Sequence, residues 1–245
     1  MTDENAGGGL QVKLTKRQKL FEKPSAQFRG KPFWAWNGKL DKTELTRQID
    51  IMHEMGFGGF FMHSRAGLET EYLGEEWFSL INSCADYGKK KGMESWLYDE
   101  DRWPSGSAGG IVTRDPRYRA MFLEMNLYEK EEWDPLKEVE HTAAVFALRM
   151  KNGIFSEKRK LLKGEYPQEG ETVVLFRTRY SVCTDNYNGF CYLNTMSREA
   201  VGKFLEVTHE KYREKCGERL GKEILGIFTD EPHRGGAFTN FAEGE

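Results

Sequence analysis

Two short acidic runs carry most of the chemistry that this chain of 245 residues can offer. Asp99-Glu100-Asp101 is followed at once by Arg102 and Trp103, and Asp230-Glu231 stands before Pro232 and His233. Cleavage of a glycosidic bond needs two carboxyl groups, one protonated to give its proton to the leaving oxygen, the other ionised to activate water or attack the anomeric carbon. Like charges crowded together raise the pKa of at least one of them, which keeps an acid protonated near neutral pH. On that chemistry Glu231, Glu100 and Asp230 are the candidate catalytic groups. For any one carboxylate the competing reading is a helix cap, or an ion pair with an arginine such as Arg102 or Arg114.

Around the acids stand residues suited to a neutral, polyhydroxylated ligand, because carboxylates accept hydroxyl hydrogen bonds and aromatic faces cover the C–H side of a sugar ring. The candidate substrate-binding set is Trp36, Asn37, His63, Arg65, Asp101, Arg102, Trp103, Asn194 and His233. Trp103, lying before Pro104-Ser105-Gly106, is the stacking candidate, whereas Trp34, Trp36, Trp77 and Trp96 also read as core. A hard, oxygen-bound ion such as calcium can be held by Asp99, Asp101 or Asp230 without a loop signature. His63 and His233 lack the spacing of a zinc motif, and a lone histidine at a strand end, as His63 is, is more often a hydrogen-bonded structural residue. Gly106, Gly109 and Gly110 resemble a phosphate loop but lack its Gly-Lys-Ser/Thr ending. Cys84, Cys183, Cys191 and Cys216 form no Cys-x-x-Cys pair and no tight framework, which suits reduced thiols.

The elements that must position these residues follow a β/α rhythm. Pro32 to Trp36 is a short aromatic strand closed by Asn37-Gly38. Asp41 and Glu44 form a capping pair for a helix with Leu45, Ile49 and Met52 on one face, stopped at Gly56. Gly58 to Ser64 is a second strand, followed by a helix from about Glu75 with Trp77, Ile81, Cys84 and Gly88 on one face. Met93 to Tyr98 is a third, ending in the first acidic run. Strands therefore begin near 32, 58 and 93, a repeat of 26 to 35 residues. A (β/α)8 barrel uses roughly 30 residues per unit, and loops at the C-terminal strand ends build its site, as in a doubly wound sheet.

From about Tyr118 to Tyr180 the rhythm breaks into alternating segments, at 121–127, 143–148 and 172–176, with a turn at Lys151-Asn152-Gly153. The β/α pattern resumes with a short strand over Gly189 to Thr195, a helix capped by Ser197 and stopped by Gly217, and a strand over Ile224 to Thr229. The expected organisation is a polar arm at 1–30, the first part of a barrel at 31–117, a β-rich insertion at 118–188, and a continuation of the barrel at 189–245. Five β/α strands are visible where a closed barrel needs eight, so either the sheet is open or the chain is the N-terminal portion of a longer protein; the second is preferred, and the fold expected is a partial barrel.

Composition limits the partners. The 36 basic and 39 acidic residues give a net charge of −3, which offers no electrostatic reason to bind nucleic acid or anionic lipid. No run of about 18 apolar residues is present, and the start of the chain lacks the basic patch and apolar stretch of a secretory signal. A cytoplasmic protein is expected.

Four blocks, Pro32-Phe33-Trp34-Ala35-Trp36-Asn37-Gly38, Met55-Gly56-Phe57-Gly58-Gly59, Tyr98 to Gly106, and Phe228-Thr229-Asp230-Glu231-Pro232, resemble those of glycoside hydrolases related to bacterial α-L-rhamnosidases. The resemblance covers about residues 32 to 115 and 189 to 233. It implies a catalytic (β/α)8 barrel and an inverting, calcium-assisted glycosidase with Glu231 as the leading catalytic residue. The Asp-Glu-Asp block would add substrate or metal contacts. Asn194 stands where similar sequences often carry Asp, which weakens a carboxylate role there.

Overall fold

The computed structural model describes residues 15–232. In chain order it holds α1 (Lys16–Glu22), β1 (Phe33–Gly38), α2 (Lys42–Glu54), β2 (Gly59–Leu68), α3 (Glu75–Lys90) and β3 (Glu94–Tyr98). Then come β4 (Met121–Tyr128), β5 (Thr142–Lys151), β6 (Ile154–Lys160) and β7 (Thr172–Tyr180). The last elements are α4 (Arg198–Leu205), α5 (Lys211–Cys216) and β8 (Ile224–Phe228). The chain folds into two compact units, one made of residues up to Asp99 together with Lys211–Phe228, the other of Glu100–Glu210 and the chain from Thr229. Among the described residues, no helix is long and apolar enough to cross a membrane.

The first unit is built on a parallel sheet of order β1-β2-β3-β8. Alternation along the strands sends Trp34, Trp36, Phe60 and Met62 to a face covered by helices. The Trp34 indole donates to Gln48 of α2 at 2.6 Å, and the Trp77 indole of α3 donates to the Tyr212 hydroxyl of α5 at 3.1 Å. Trp36 meets Trp77 edge-on at 5.1 Å between centroids. Helix α3 lies close because Gly88 has no side chain: a Cβ there would stand 2.9 Å from the Phe60 ring. On the other face Phe33, Phe61 and Phe228 form a ring cluster with centroids 5.1 to 5.9 Å apart, and Phe33 is 55 % exposed.

This sheet corrects the barrel expectation. Among the described residues β1 and β8 pair on one side only, so the parallel sheet is open, and the fold is mixed α/β with a separate antiparallel sheet. The strand expected over 189–195 does not form. Only isolated bridges, Thr184 with Phe190 and Arg119 with Leu193, involve that stretch, so it adds no strand to the parallel sheet.

The second unit contains an antiparallel sheet of order β4-β7-β5-β6. Strands β5 and β6 join through Asn152-Gly153, both at positive φ (53° and 75°), the two-residue turn whose twist matches a hairpin. One small core, Ala147, Leu161 and Val173 beneath Tyr128 and Trp133, belongs to this sheet. A second core gathers Ala108, Val112, Ala120, Tyr192, Leu193, Ala200 and Phe204, the last two from α4. Ser197 caps α4 as expected, its hydroxyl accepting from the Ala200 amide at 3.2 Å. The single helix expected from Ser197 to Gly217 is divided, because Glu206–Glu210 widens into a π turn where the Thr208 hydroxyl donates to the Phe204 carbonyl at 2.6 Å. In the expected arm, α1 is an exposed helix with reciprocal capping between Thr15 and Gln18.

Candidate functional site

In the second unit the chain between Glu100 and Gly110 is a tight loop wrapped around one carboxyl group. Glu100 is 2 % exposed. Its Oε1 accepts from the Asp101 amide at 2.9 Å and from the Gly109 amide, and its Oε2 accepts from Gly106, Ser107 and Ala108 at 2.9, 2.8 and 2.8 Å. Burial pushes this carboxyl up, to about 7, while the amides of Gly109, Asp101, Gly106 and Ala108 pull the other way. The glycines that resemble a phosphate loop thus cradle an anion, and the chain supplies it. In Glu100, expected as a catalytic group, both oxygens are thus engaged by backbone and the side chain is buried.

The same loop is clamped to the second acidic run. The Ser105 amide donates to the Asp230 carbonyl at 2.9 Å, and the Asp230 amide donates back to the Ser105 hydroxyl at 2.9 Å. The Tyr192 hydroxyl, donating to the Ser105 carbonyl at 2.6 Å, holds the clamp from behind. Two residues earlier the half-buried Trp103 indole donates to Glu231 Oε2 at 3.3 Å. Glu231 is exposed and has φ of 44°, the left-handed region that side chains other than glycine enter at a cost. Asp101, Arg102, Trp103, Asp230 and Glu231 are therefore brought onto one loop-and-turn assembly, with Glu100 as its internal anchor.

A third segment steadies the assembly. The Asn188 side-chain amide donates to Asp101 Oδ2 at 2.8 Å and to the Gly109 carbonyl at 3.0 Å, and Arg102 Nη1 donates to the Asp185 carbonyl at 3.0 Å. Arg102 Nε also lies 3.7 Å from Asp101 Oδ2. Sequence reasoning missed Ser105, Asn188 and Tyr192. The turn pairs Ser105-Gly106 and Asn188-Gly189 were the signals that could have found the first two.

Asn194 sits in a turn: its Oδ1 accepts from the Met196 amide at 3.1 Å, and its backbone amide donates to the Tyr118 carbonyl at 2.7 Å. In the first unit Trp36 lies in the core, at 1 % exposure, while Asn37 and Arg65 are exposed. His63 is buried. Its Nδ1 donates to the Ser64 carbonyl at 2.7 Å and its ring stacks on Tyr98 at 3.5 Å. Burial holds its imidazole down, at about 4. Asp99 is fully buried, and its amide donates to the Phe228 carbonyl at 3.3 Å. His233 lies outside the described residues.

Asp101 Oδ2 is taken by Asn188 and faces a guanidinium, and among the described residues no three His, Cys, Asp or Glu side chains converge as ligands.

No protein-family model matches the chain. No curated protein matches it either. Among solved structures, a rhamnosidase from Novosphingobium sp. PP1Y is a weak structural neighbour, with a TM-score of 0.40 and 18 % identity over 53 % of this chain and 15 % of that one.

Proposed function

We propose that the second unit carries a carbohydrate site of glycoside hydrolase type, formed by the 100–109 loop and the 229–232 turn, with an α-L-rhamnoside-like sugar as the first substrate class. One observation carries this reading: an exposed carboxylate, Glu231, is hydrogen-bonded to the indole of a half-exposed tryptophan, Trp103, across a clamped loop. A residue in a sparsely populated backbone region costs on the order of 1–3 kcal/mol, and such residues cluster at working sites. Trp103 offers its face to the C–H side of a pyranose while its N–H orients the carboxylate. Asp101 and Arg102 hold hydroxyls beside it. Glu231 exchanges a proton with the glycosidic oxygen, and Asp230 is the second carboxylate of the pair.

The test is an assay of the full chain against aryl glycosides, α-L-rhamnoside first, with Glu231→Gln beside it. Glu231→Gln should lower turnover by about 100-fold or more while leaving the melting temperature nearly unchanged. Undiminished turnover in that variant would overturn the role. The locking of Glu100 supports a second reading, a carbohydrate-binding protein without catalysis, because it withdraws one of three candidate acids. Heat on titration with an oligosaccharide, with no reducing ends released, would select it.

A further inference from the structure

We propose that Cys183 and Cys191 are a reversible dithiol–disulfide pair that closes the 184–190 loop against the site-bearing segment. The backbone places them together. Thr184 and Phe190 form an isolated antiparallel bridge, with the Thr184 amide donating to the Phe190 carbonyl at 2.7 Å. One step outward, 183 and 191 face each other as a pair of the type whose Cα atoms stand roughly 4.5 Å apart. A disulfide needs Cα separations of about 4.4–6.8 Å. The Cys183 side chain is near enough to help raise the Cys191 pKa, and both cysteines are free.

The pair is also asymmetric, as a stepwise exchange requires. Cys183 is exposed, whereas Cys191 is buried and its thiol is pushed up to about 12, chiefly by burial. Cys183 therefore reacts first. With oxidised glutathione as the oxidant, the Cys183 thiolate attacks one sulfur, the glutathione disulfide bond breaks, and one glutathione leaves as thiolate and takes up a proton. Cys191 then gives up its proton and attacks the Cys183 sulfur, releasing the second glutathione. The protein loses two electrons and two protons, and one glutathione disulfide becomes two thiols.

The loop so closed carries Asn188, which holds Asp101 and Gly109, and Asp185, whose carbonyl holds Arg102. The Cys191 carbonyl itself accepts from the hydroxyls of Ser107 and Thr113 at 3.3 and 2.7 Å. Oxidation would fix the segment that presents Asp101 and Arg102. That consequence rests on the carbohydrate reading, whereas the cross-link does not.

The experiment treats the folded full chain with oxidised glutathione, alkylates it, digests it with trypsin and weighs the peptides. Both cysteines fall on the single peptide Tyr180–Arg198. The expected result is that peptide two hydrogens lighter and closed to alkylation, with two of the four thiols lost and both recovered with dithiothreitol. In Cys191→Ala a glutathione adduct should persist on Cys183, and in Cys183→Ser neither product should form. Full alkylation of both thiols after oxidation, a lasting glutathione adduct on the unaltered chain, or a cross-link to Cys84 or Cys216 would overturn the pairing. The mass readout contains no sugar, so a failure of the carbohydrate reading leaves it unaffected.

Discussion

A carboxyl group that takes five amide N–H groups is held for shape, so Glu100 is the residue on which the candidate site depends without touching a ligand. Glu100→Ala leaves those donors facing a void and should cost about 3–5 kcal/mol, the range for breaking a buried charged arrangement. Urea unfolding measures it, and a loss under about 1 kcal/mol would deny the anchoring role. His63 makes a prediction about pH. Its folded pKa of about 4 lies below the unbound value of 6.5, so between those values the unfolded chain binds a proton that the folded chain refuses. Its contribution is complete above pH 6.5 and is lost as pH falls through 4. Glu100 acts with the opposite sign, since its pKa rises from 4.5 to about 7 on folding, and its contribution declines across that window as pH rises. His63→Phe keeps an aromatic ring against Tyr98 and removes the titration, so the variant should lose less stability than the parent as pH falls from 6.5 to 4.5. An unchanged slope counts against the assignment. The acidic run itself was legible in the sequence, but which acid is locked was not. The partners of Glu100 are backbone amides, which carry no side-chain signature, and the one cue was a glycine pattern that fits any anion.

Among the elements, the loop after β3 depends on Gly106. Its φ of 146° is open to glycine, and a Cβ there would stand 3.0 Å from the Tyr192 hydroxyl and closer still to Leu193. Gly106→Ala should destabilise by about 1–3 kcal/mol and loosen the Trp103–Glu231 contact, raising acrylamide quenching of tryptophan emission. Parental stability and quenching together would show that the loop tolerates the side chain. The first three strands were expected near 32, 58 and 93 and are found from Phe33, Gly59 and Glu94, because each is a largely apolar run, the first two followed by a capped or stopped helix and the third by the acidic run. The stretch 189–195 failed for a physical reason. Gly189 has φ of 83° and the Phe190 amide donates back to the Tyr187 carbonyl at 3.1 Å, so the chain is turning there. The run Cys191-Tyr192-Leu193 is buried, Tyr192 and Leu193 filling the core with Ala108 and Val112, and an apolar run alone cannot tell a strand from a buried loop.

At the scale of the whole molecule, a spacing of 26 to 35 residues reports β/α units but not closure, which depends on how many strands pair and in what register. Three of the four strands of the antiparallel sheet were legible as apolar or alternating runs, and the Asn152-Gly153 turn is a local signal, but β6 was not expected. The sheet's place in the second unit leads to the last prediction. The Ser181 amide donates to the Ala120 carbonyl at 2.9 Å, so the segment 121–180 leaves and rejoins the chain at one point. Its core of Ala147, Leu161 and Val173 shares no member with the cluster of Ala120, Tyr192 and Leu193 that supports the Glu100 loop. A segment with adjacent ends and its own core can be removed without unpicking the rest. Replacing 121–180 with Gly-Gly-Ser should leave a chain that melts cooperatively and keeps the Ser105–Asp230 clamp. Hydrogen exchange at the amides of Gly106, Ser107 and Ala108 reads this directly, because protection there requires the loop closed on Glu100. Loss of that protection, or a melt without a cooperative transition, would mean that the antiparallel sheet supports the candidate site and is not an appendage to it.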